Sequence, residues 1–269
     1  MLLARAAALP EEPMLFERDG ADWRWRAFRS AASDLCRWRQ RCLAFGAAES
    51  VSYTARATAD ALFAGLALAD SVARVVPLAP EQGDADLPAV DRHLPVGGAV
   101  GAECASPQTV RRVAGRWSLE AGRGRRVEVA SEELAASARA LAERLPPPDR
   151  GRDVIVFGRP FDRLREQLTL GWAIASGAAI VFESEPLGLP LTVLWARPTV
   201  IHGSVAELEE LAATWAAAGR KRRRAIDKGL ARLRALLVDG EDRRLPEPWR
   251  RPGVVVMRLA ADGPAPAGR

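Results

Sequence analysis

Short strand-like segments alternate with amphipathic helices along most of this sequence, and this alternation restricts the fold more than any other feature. Val51-Ser52-Tyr53 is typical of a strand, residues 58–69 of an alanine- and leucine-rich helix, and residues 73–78 of a second strand. Such a strand–helix–strand unit favours parallel pairing of its strands. The other predicted helices are 28–45, 131–145, 161–176, 204–217 and 221–235, and the other predicted strands are 23–26, 126–129, 153–157, 178–182, 198–201, 235–238 and 253–257.

The alternation is interrupted between residues 80 and 115, where glycine, proline and aspartate are frequent and periodicity is weak. We therefore predict a doubly wound α/β fold with mostly parallel sheets in two lobes, residues 1–115 and residues 116–262. Residues 263–269 have the composition of a disordered tail.

The positive charge of the chain is spread along its length. The net charge is +5, and it comes almost entirely from arginine, since the only lysines are Lys221 and Lys228. Acidic residues are interleaved nearly everywhere outside the basic segments 22–26 and 220–224, so we interpret the arginines as solvated faces and do not expect a nucleic-acid partner. No segment has the roughly 20 apolar residues of a membrane span. We expect a cytoplasmic bacterial protein.

Cysteine and histidine are too few for a conventional metal site. The three cysteines are Cys36, Cys42 and Cys104, and none of them forms a Cys-x-x-Cys pair. The two histidines, His93 and His202, are far apart in the sequence. We therefore expect buried thiols, hydrogen-bonded imidazoles and no bound metal.

Four segments carry a resemblance to a known family. Residues 61–80 resemble a signature of the form FLAALRAGAVVVPLDP, and residues 197–203 (RPTVIHG) resemble RPTVLFG. Residues 171–182 and 233–245 are similar to the family's LLAGATVV and LRLVLSGGAPLP segments. The sequence thus resembles, over about residues 15 to 262, the N-terminal domain of the adenylate-forming (AMP-binding) enzymes, which include acyl-CoA synthetases, luciferases and nonribosomal adenylation domains. The resemblance implies that family's two-lobed α/β architecture without its mobile C-terminal domain.

The resemblance also identifies a degenerate phosphate loop. Members of the family attack the α-phosphate of ATP with a carboxylate, and their loop reads YTSGTTGxPKG, in which backbone amides and hydroxyls hold the phosphates. The corresponding stretch here is WSLEAGRGRR, and only one serine and two glycines remain. We expect a surface turn, with a rewired anion site as the alternative, at the degenerate positions Trp117, Ser118, Gly122, Arg123, Gly124 and Arg125.

Other parts of the family's site also depart from its pattern. The segment 257–262 falls where YGxTE would supply an adenine-stacking aromatic and a metal-binding glutamate, and it has neither. The family's ribose-binding aspartate and catalytic lysine would lie beyond residue 269. The positions that the resemblance assigns to an acyl pocket are Asp162, His202, Gly203, Asp239 and Gly240.

Together these departures predict a catalytically inactive AMP-ligase-like protein with no catalytic residue and no cofactor. We expect it to act by binding a partner protein, a second copy of itself, or an acyl- or aryl-type small molecule. Two alternatives remain open. One is an active, diverged AMP-forming carboxylate ligase that uses ATP and Mg²⁺ and is completed by another polypeptide; the other is a basic nucleic-acid-binding protein.

Overall fold

Two mostly parallel β-sheets form the framework of the computed structural model, which confirms the predicted α/β class. The structure describes residues 2–19, 22–80, 89–96, 115–121, 125–145, 148, 151–183, 189–239, 245 and 249–259. The strands are β1 (Pro13–Asp19), β2 (Asp22–Ala27), β3 (Ser50–Thr54), β4 (Arg74–Leu78), β5 (Arg92–Leu94), β6 (Arg116–Glu120), β7 (Arg126–Ala130), β8 (Val154–Phe157), β9 (Ala179–Phe182), β10 (Val200–Ser204), β11 (Ala235–Asp239) and β12 (Val255–Leu259).

Helices connect most of these strands. They are α1 (Leu2–Ala8), α2 (Phe28–Cys42), α3 (Ala59–Ser71), α4 (Ser131–Arg144), α5 (Leu164–Ser176), α6 (Leu189–Ala196), α7 (Val205–Ala216) and α8 (Arg220–Gly229). The helix predicted over 221–235 is wrong at its end, because α8 passes into a 3-10 turn at Leu230–Arg232 and β11 then begins. Among the described residues, no helix is both long enough and apolar enough to cross a membrane.

Each sheet is parallel except for one hairpin at its edge. The five-stranded sheet has the order β5-β3-β4-β6-β7, and only β6 and β7 pair antiparallel. The seven-stranded sheet has the order β12-β11-β10-β8-β9-β1-β2, and only β1 and β2 pair antiparallel. Parallel strands need long crossover connections, and the helices of the alternating pattern supply them.

The two hairpins pair across residue 115, the boundary between the predicted lobes 1–115 and 116–262. β1 and β2 precede residue 115, yet they extend the sheet formed by β8 to β12, because β1 pairs in parallel with β9. β6 and β7 follow residue 115, yet they extend the other sheet, because β6 pairs with β4. Each sheet therefore draws strands from both predicted lobes. The tail predicted at residues 263–269 lies outside the described residues.

Local chemistry accounts for the ends of several helices. Thr58 caps α3 by accepting a hydrogen bond from the Ala61 amide at 3.3 Å. α5 ends at Gly177, whose φ of +74° is a conformation that glycine adopts without steric cost. The sequence Ser-Glu-Glu-Leu at residues 131–134 predicts an N-cap at Ser131, but Ala130 occupies the N-cap of α4 and Glu133 accepts the Ala130 amide at 3.2 Å.

Helix-on-helix packing joins the two sheets into one core. α2 packs on α3, and α4 packs on α5, so helices associated with different sheets contact each other. The resulting apolar cluster contains residues of both sheets, including Val51, Leu119, Ile180 and Leu237, all fully buried. A smaller cluster around Trp215 and Trp249 packs α7 and α8 against the other face of the seven-stranded sheet. This arrangement fixes the carboxyl ends of the parallel strands, where α/β folds form their ligand sites.

Candidate functional site

Polar side chains converge at the carboxyl edge of the seven-stranded sheet. Asp239 is the last residue of β11, and His202 lies in the neighbouring strand β10. The segment after β8 supplies Arg159, and the first turn of α5 supplies Glu166. Parallel strands end at the same edge, so residues far apart in the sequence become neighbours here.

Asp239 is the centre of this group. Its Oδ1 lies 3.0 Å from Nε2 of His202, and its Oδ2 lies 3.4 Å from Nη1 of Arg159. Since a carboxylate only accepts hydrogen bonds, Nε2 of His202 is the donor while Asp239 is ionised. Burial acts to raise the pKa of Asp239, but the hydrogen bond and charge of His202 and the guanidinium groups of Arg165 and Arg159 prevail and lower it.

Arg159 connects Asp239 to the start of α7. Its Nη2 donates to Oγ of Ser204 at 2.9 Å, and its Nε donates to Glu207. Ser204 and Glu207 form a capping box, in which Oγ of Ser204 accepts the Glu207 amide and the Glu207 carboxylate accepts the Ser204 amide. The same two side chains therefore hold Arg159 in place and cap the N-terminus of α7. Gly203 belongs to the same corner, because a Cβ there would lie 3.2 Å from Oε2 of Glu207.

Glu166 is the unusual member of the site. Its side chain is 1% exposed, and neither carboxylate oxygen has a hydrogen-bond partner among the residues that the structure describes. The nearest recorded cation is Nη1 of Arg159, 3.7 Å from Oε1, which is ion-pair distance but too long for a hydrogen bond. Desolvation by burial is the main cause of the raised pKa of Glu166. A buried carboxylate without donors is rare and points to a ligand, an ion or a proton.

An open cleft of about 450 Å³ borders Arg159 and Glu166, and residues that follow or end strands of both sheets line it. Its lining residues are Ala79, Glu120, Arg159, Pro160, Asp162, Arg163 and Glu166. Glu120, at the end of β6, pairs with Nε of Arg163 at 3.6 Å, so the cleft is bridged by an ion pair. Asp162 is 4% exposed, and desolvation by burial is the main cause of its raised pKa.

The predicted acyl-pocket positions are partly brought together. His202 and Asp239 are in contact, Gly203 lies beside them, and Asp162 lines the adjoining cleft. Gly240 lies outside the described residues. A small cavity of about 20 Å³ lies beside His202 and Gly203, and most of its other lining residues are apolar residues of β8, β10, α6 and α7.

Two of the described residues of the degenerate phosphate loop, Trp117 and Ser118, face inward. Trp117 and Ser118 lie in β6, and Nε1 of Trp117 donates to Oγ of Ser131 at 3.1 Å. Ser118 is completely buried, and its Oγ accepts from Nη2 of Arg74 at 3.2 Å and from Nε of Arg126 at 3.3 Å. Arg125 is exposed just before β7. Gly122, Arg123 and Gly124 lie outside the described residues.

Sequence reasoning missed Arg159, Arg165, Glu166 and Glu207. Glu166 had a detectable signal, because it shares the apolar stripe of α5 with Thr169, Leu170 and Ala173, all of them buried. A charged residue on the buried face of a helix is unusual enough to mark a candidate site. Arg159 had no such signal, since its hydrogen-bond partners come from three different elements, α7, β10 and β11.

Comparison with known proteins shows similarity of structure without detectable similarity of sequence. Neither a protein-family model nor a curated protein matches the chain. The inhibitor-bound N-terminal domain of FACL13 from Mycobacterium tuberculosis superimposes with a TM-score of 0.72 at 12% identity, over 96% of this chain and 74% of that one. Unliganded O-succinylbenzoate coenzyme A synthetase (MenE) from Bacillus subtilis gives 0.70 at 13% identity, over 91% and 57%.

A nonribosomal peptide synthetase, FmoA3 in an AMPPNP-bound form, gives a TM-score of 0.74 at 17% identity, over 98% of this chain and 31% of that one. These superpositions therefore include nearly all of this chain but only part of each larger protein. Identities this low establish architecture alone. The chain has the fold of the N-terminal domain of adenylate-forming enzymes.

Proposed function

We propose that this protein has kept the fold of the adenylate-forming enzymes but not their chemistry, and that it acts in the cytoplasm by binding. One observation carries the proposal. The hydroxyl of Ser118, at the phosphate-loop position, is buried and occupied by hydrogen bonds from Arg74 and Arg126. A hydroxyl that already accepts two guanidinium donors inside the protein is not oriented toward a nucleotide phosphate.

The neighbouring groups support the same conclusion. Arg126 donates to the carbonyls of Pro77 and Ser118 as well as to the Ser118 hydroxyl, so its charge is directed into the fold. Glu120 ends β6, the strand that contains Ser118, and it would place a negative charge near a triphosphate. Phosphoryl chemistry depends on preorganised donors and cations around the developing charge. The described part of the loop supplies a buried structural network instead, and binding without adenylation requires neither ATP nor Mg²⁺.

The acyl-pocket region also differs from what an aliphatic substrate needs. An apolar acyl chain would replace the polar surroundings of Glu166, His202 and Asp239. This is costly because buried charged groups need polar partners. A small molecule bound in the adjoining cleft would therefore be polar.

An exposed aromatic surface supports a protein partner or a second copy of the chain. Trp25, Leu191 and Trp195 are 58%, 55% and 49% exposed. Trp195 stacks on Trp23 with ring centroids 4.5 Å apart, which joins α6 to the edge strand β2. We call Trp25, Leu191 and Trp195 the aromatic patch. Large exposed aromatic residues are enriched at protein interfaces.

Adenylation is tested by ATP–pyrophosphate exchange across a panel of aliphatic, aromatic and amino-acid carboxylates, with calorimetric titration of ATP and Mg²⁺. We expect no exchange and no binding heat, while an active enzyme of the same fold serves as the positive control. Exchange with any carboxylate would establish the active-ligase alternative. A steeply salt-dependent affinity for random DNA would instead favour the nucleic-acid alternative.

Association is tested separately with the variant Trp25→Ser/Trp195→Ser. We expect the wild-type chain to form a complex, with itself or with a captured protein, that the double variant forms at least about tenfold more weakly. Leu43→Ser is the matched control, because Leu43 is 57% exposed but lies beyond the end of α2, outside the aromatic patch. Equal association of all three proteins would exclude the patch as the interface.

A further inference from the structure

Three potential metal ligands meet at the edge of the seven-stranded sheet. A carboxylate oxygen of Glu166, a ring nitrogen of His202 and a carboxylate oxygen of Asp239 all lie within 4.8 Å of one another. They come from three different elements, α5, β10 and β11, whose positions are fixed by the buried core. A constellation held by rigid elements is preorganised for a ligand.

The state of Glu166 points to a missing cation. Its two carboxylate oxygens are buried and have no hydrogen bond to any described residue. Asp239, in the same site, has both His202 and Arg159 as partners. Desolvating an ionised carboxylate costs several kcal/mol, by order of magnitude, unless a charge or donors compensate for it. Glu166 therefore needs a partner that the described side chains do not supply by hydrogen bonding.

The arginines in the site do not remove this need. Arg159 lies between Asp239, Glu207 and Glu166, and Arg165 lies 3.7 Å from Oδ1 of Asp239. Among the described side chains in these ion pairs, Glu166, Glu207 and Asp239 all share Arg159, so Glu166 has no guanidinium group of its own. The hydrogen bonds of Arg159 go to Glu207, Ser204 and Asp239, and they orient Asp239 as outer groups orient metal ligands.

The geometry suits a small divalent ion with mixed nitrogen and oxygen ligands. His202 and Asp239 are already 3.0 Å apart, and zinc bonds of about 2.1 Å place neighbouring ligand atoms roughly 3.4 Å apart in a tetrahedral site. The ring of Phe157 stands edge-on to the His202 ring, with centroids 6.1 Å apart, and restricts its rotation. Glu166 also lines the open cleft, which gives an ion a route from solvent and leaves a further coordination position for water or a ligand.

We propose that Glu166, His202 and Asp239 form a Zn²⁺ site with one coordination position open to the cleft. This departs from the expectation of no metal that the sequence suggested, because the spacing of histidine and cysteine in the sequence gives no sign of a site built from one histidine and two carboxylates. Binding of Zn²⁺ would displace the Nε2 proton of His202 to solvent, and the hydrogen bond from Nε2 to Asp239 would give way to bonds from both residues to the same ion.

The test is direct titration of chelator-treated full-length protein with Zn²⁺, in competition with a chromogenic chelator and without nucleotide. We expect one site per chain, and at least about tenfold weaker affinity in each of His202→Asn, Glu166→Gln and Asp239→Asn. His93→Asn is the matched control, because the other histidine lies in the five-stranded sheet, beside Ser52, and we expect it to bind Zn²⁺ as the wild type does.

A second measurement distinguishes this site from a cysteine site. Co²⁺ bound by nitrogen and oxygen gives a visible spectrum without the thiolate charge-transfer absorption that a cysteine ligand adds. We expect that spectrum in the wild type, and circular dichroism shows which variants remain folded for comparison. No Zn²⁺ binding by the wild type, thiolate absorption, or equal binding by any folded variant of the three residues would overturn the proposal. None of these readouts depends on whether the protein adenylates a substrate.

Discussion

At the scale of single residues, breaking a buried ion pair costs more stability than breaking an exposed one, and Asp153 is an example of a buried pair. It is 5% exposed at the start of β8, and it accepts hydrogen bonds from Nε of Arg234 at 2.8 Å, from Nη2 of the same guanidinium, and from Oγ1 of Thr199 at 2.7 Å. These bonds tie together the amino ends of three neighbouring strands, so Asp153 stabilises the edge of the sheet opposite to the candidate site.

We therefore expect Asp153→Asn to lower the free energy of unfolding by about 3 kcal/mol, because it leaves a buried guanidinium facing an amide that cannot compensate its charge. Asp227→Asn is the control, since Asp227 is 69% exposed and its pair with Arg251 is solvated. The control should change the unfolding free energy by less than about 0.5 kcal/mol. Urea denaturation followed by circular dichroism measures both, and equal losses would contradict the assignment.

Cys42 allows a prediction about chemical reactivity. It is completely buried, and desolvation by burial raises its pKa to about 12. The thiolate is the reactive form, so at pH 8 roughly one molecule in 10⁴ has an ionised Cys42 in the folded state. We expect iodoacetamide to leave Cys42 unmodified in the native protein and to alkylate it fully in urea, as read by peptide mass spectrometry. Rapid native modification would show that the core around α2 opens readily.

The site residues show what a sequence can predict at this scale. His202 and Asp239 were identified from short matching segments, and the structure places them 3.0 Å apart. Their partner Arg159 was missed, because its role depends on which strands are neighbours in the sheet, and strand order is a long-range property. Glu166 was missed for a different reason: its position on an apolar stripe was visible, but the pattern was used to predict a helix and not to question the charge on it.

At the scale of secondary-structure elements, Ser131 connects the β6–β7 hairpin to α4. Its Oγ donates to the Gly115 carbonyl at 2.8 Å and accepts from Nε1 of Trp117 at 3.1 Å. We expect Ser131→Ala to destabilise the protein by about 2 kcal/mol, because the indole N–H of the buried Trp117 loses its acceptor, whereas the Gly115 carbonyl keeps its hydrogen bond from the Ser131 amide. Ser33→Ala is the control, since Ser33 is exposed on α2 and bonds only the Arg29 carbonyl within its own helix.

Both variants are compared by chemical denaturation, and a Ser131→Ala protein as stable as Ser33→Ala would show that the hairpin is not held through this hydroxyl.

The same residue illustrates the limits of local patterns. The sequence Ser-Glu-Glu-Leu predicts a cap at Ser131, but the hydroxyl is used by a strand instead, and the cap moves to Ala130. β1 and β6 were not predicted at all, since their short apolar runs become strands only through pairing with β9 and β4.

At the scale of the whole molecule, the two sheets share one apolar core. Leu119 of β6 and Leu237 of β11 belong to different sheets, both are completely buried, and both belong to the same cluster. The edge hairpins strengthen this connection, because each one brings strands from the other predicted lobe. A molecule built in this way should open its two sheets together and not as independent domains.

Native-state hydrogen exchange tests this cooperativity. Leu119→Ala removes buried methyl groups from the five-stranded sheet and should cost about 3 kcal/mol. If the sheets unfold together, the free energy of exchange will fall by the same amount for the amides of β3 in the five-stranded sheet and of β11 in the seven-stranded sheet. Both sets would then exchange through one global opening. Leu191→Ala, at a position 55% exposed on α6, should leave both sets unchanged. Loss of protection confined to the five-stranded sheet would mean that the cleft between the sheets separates two units that open independently.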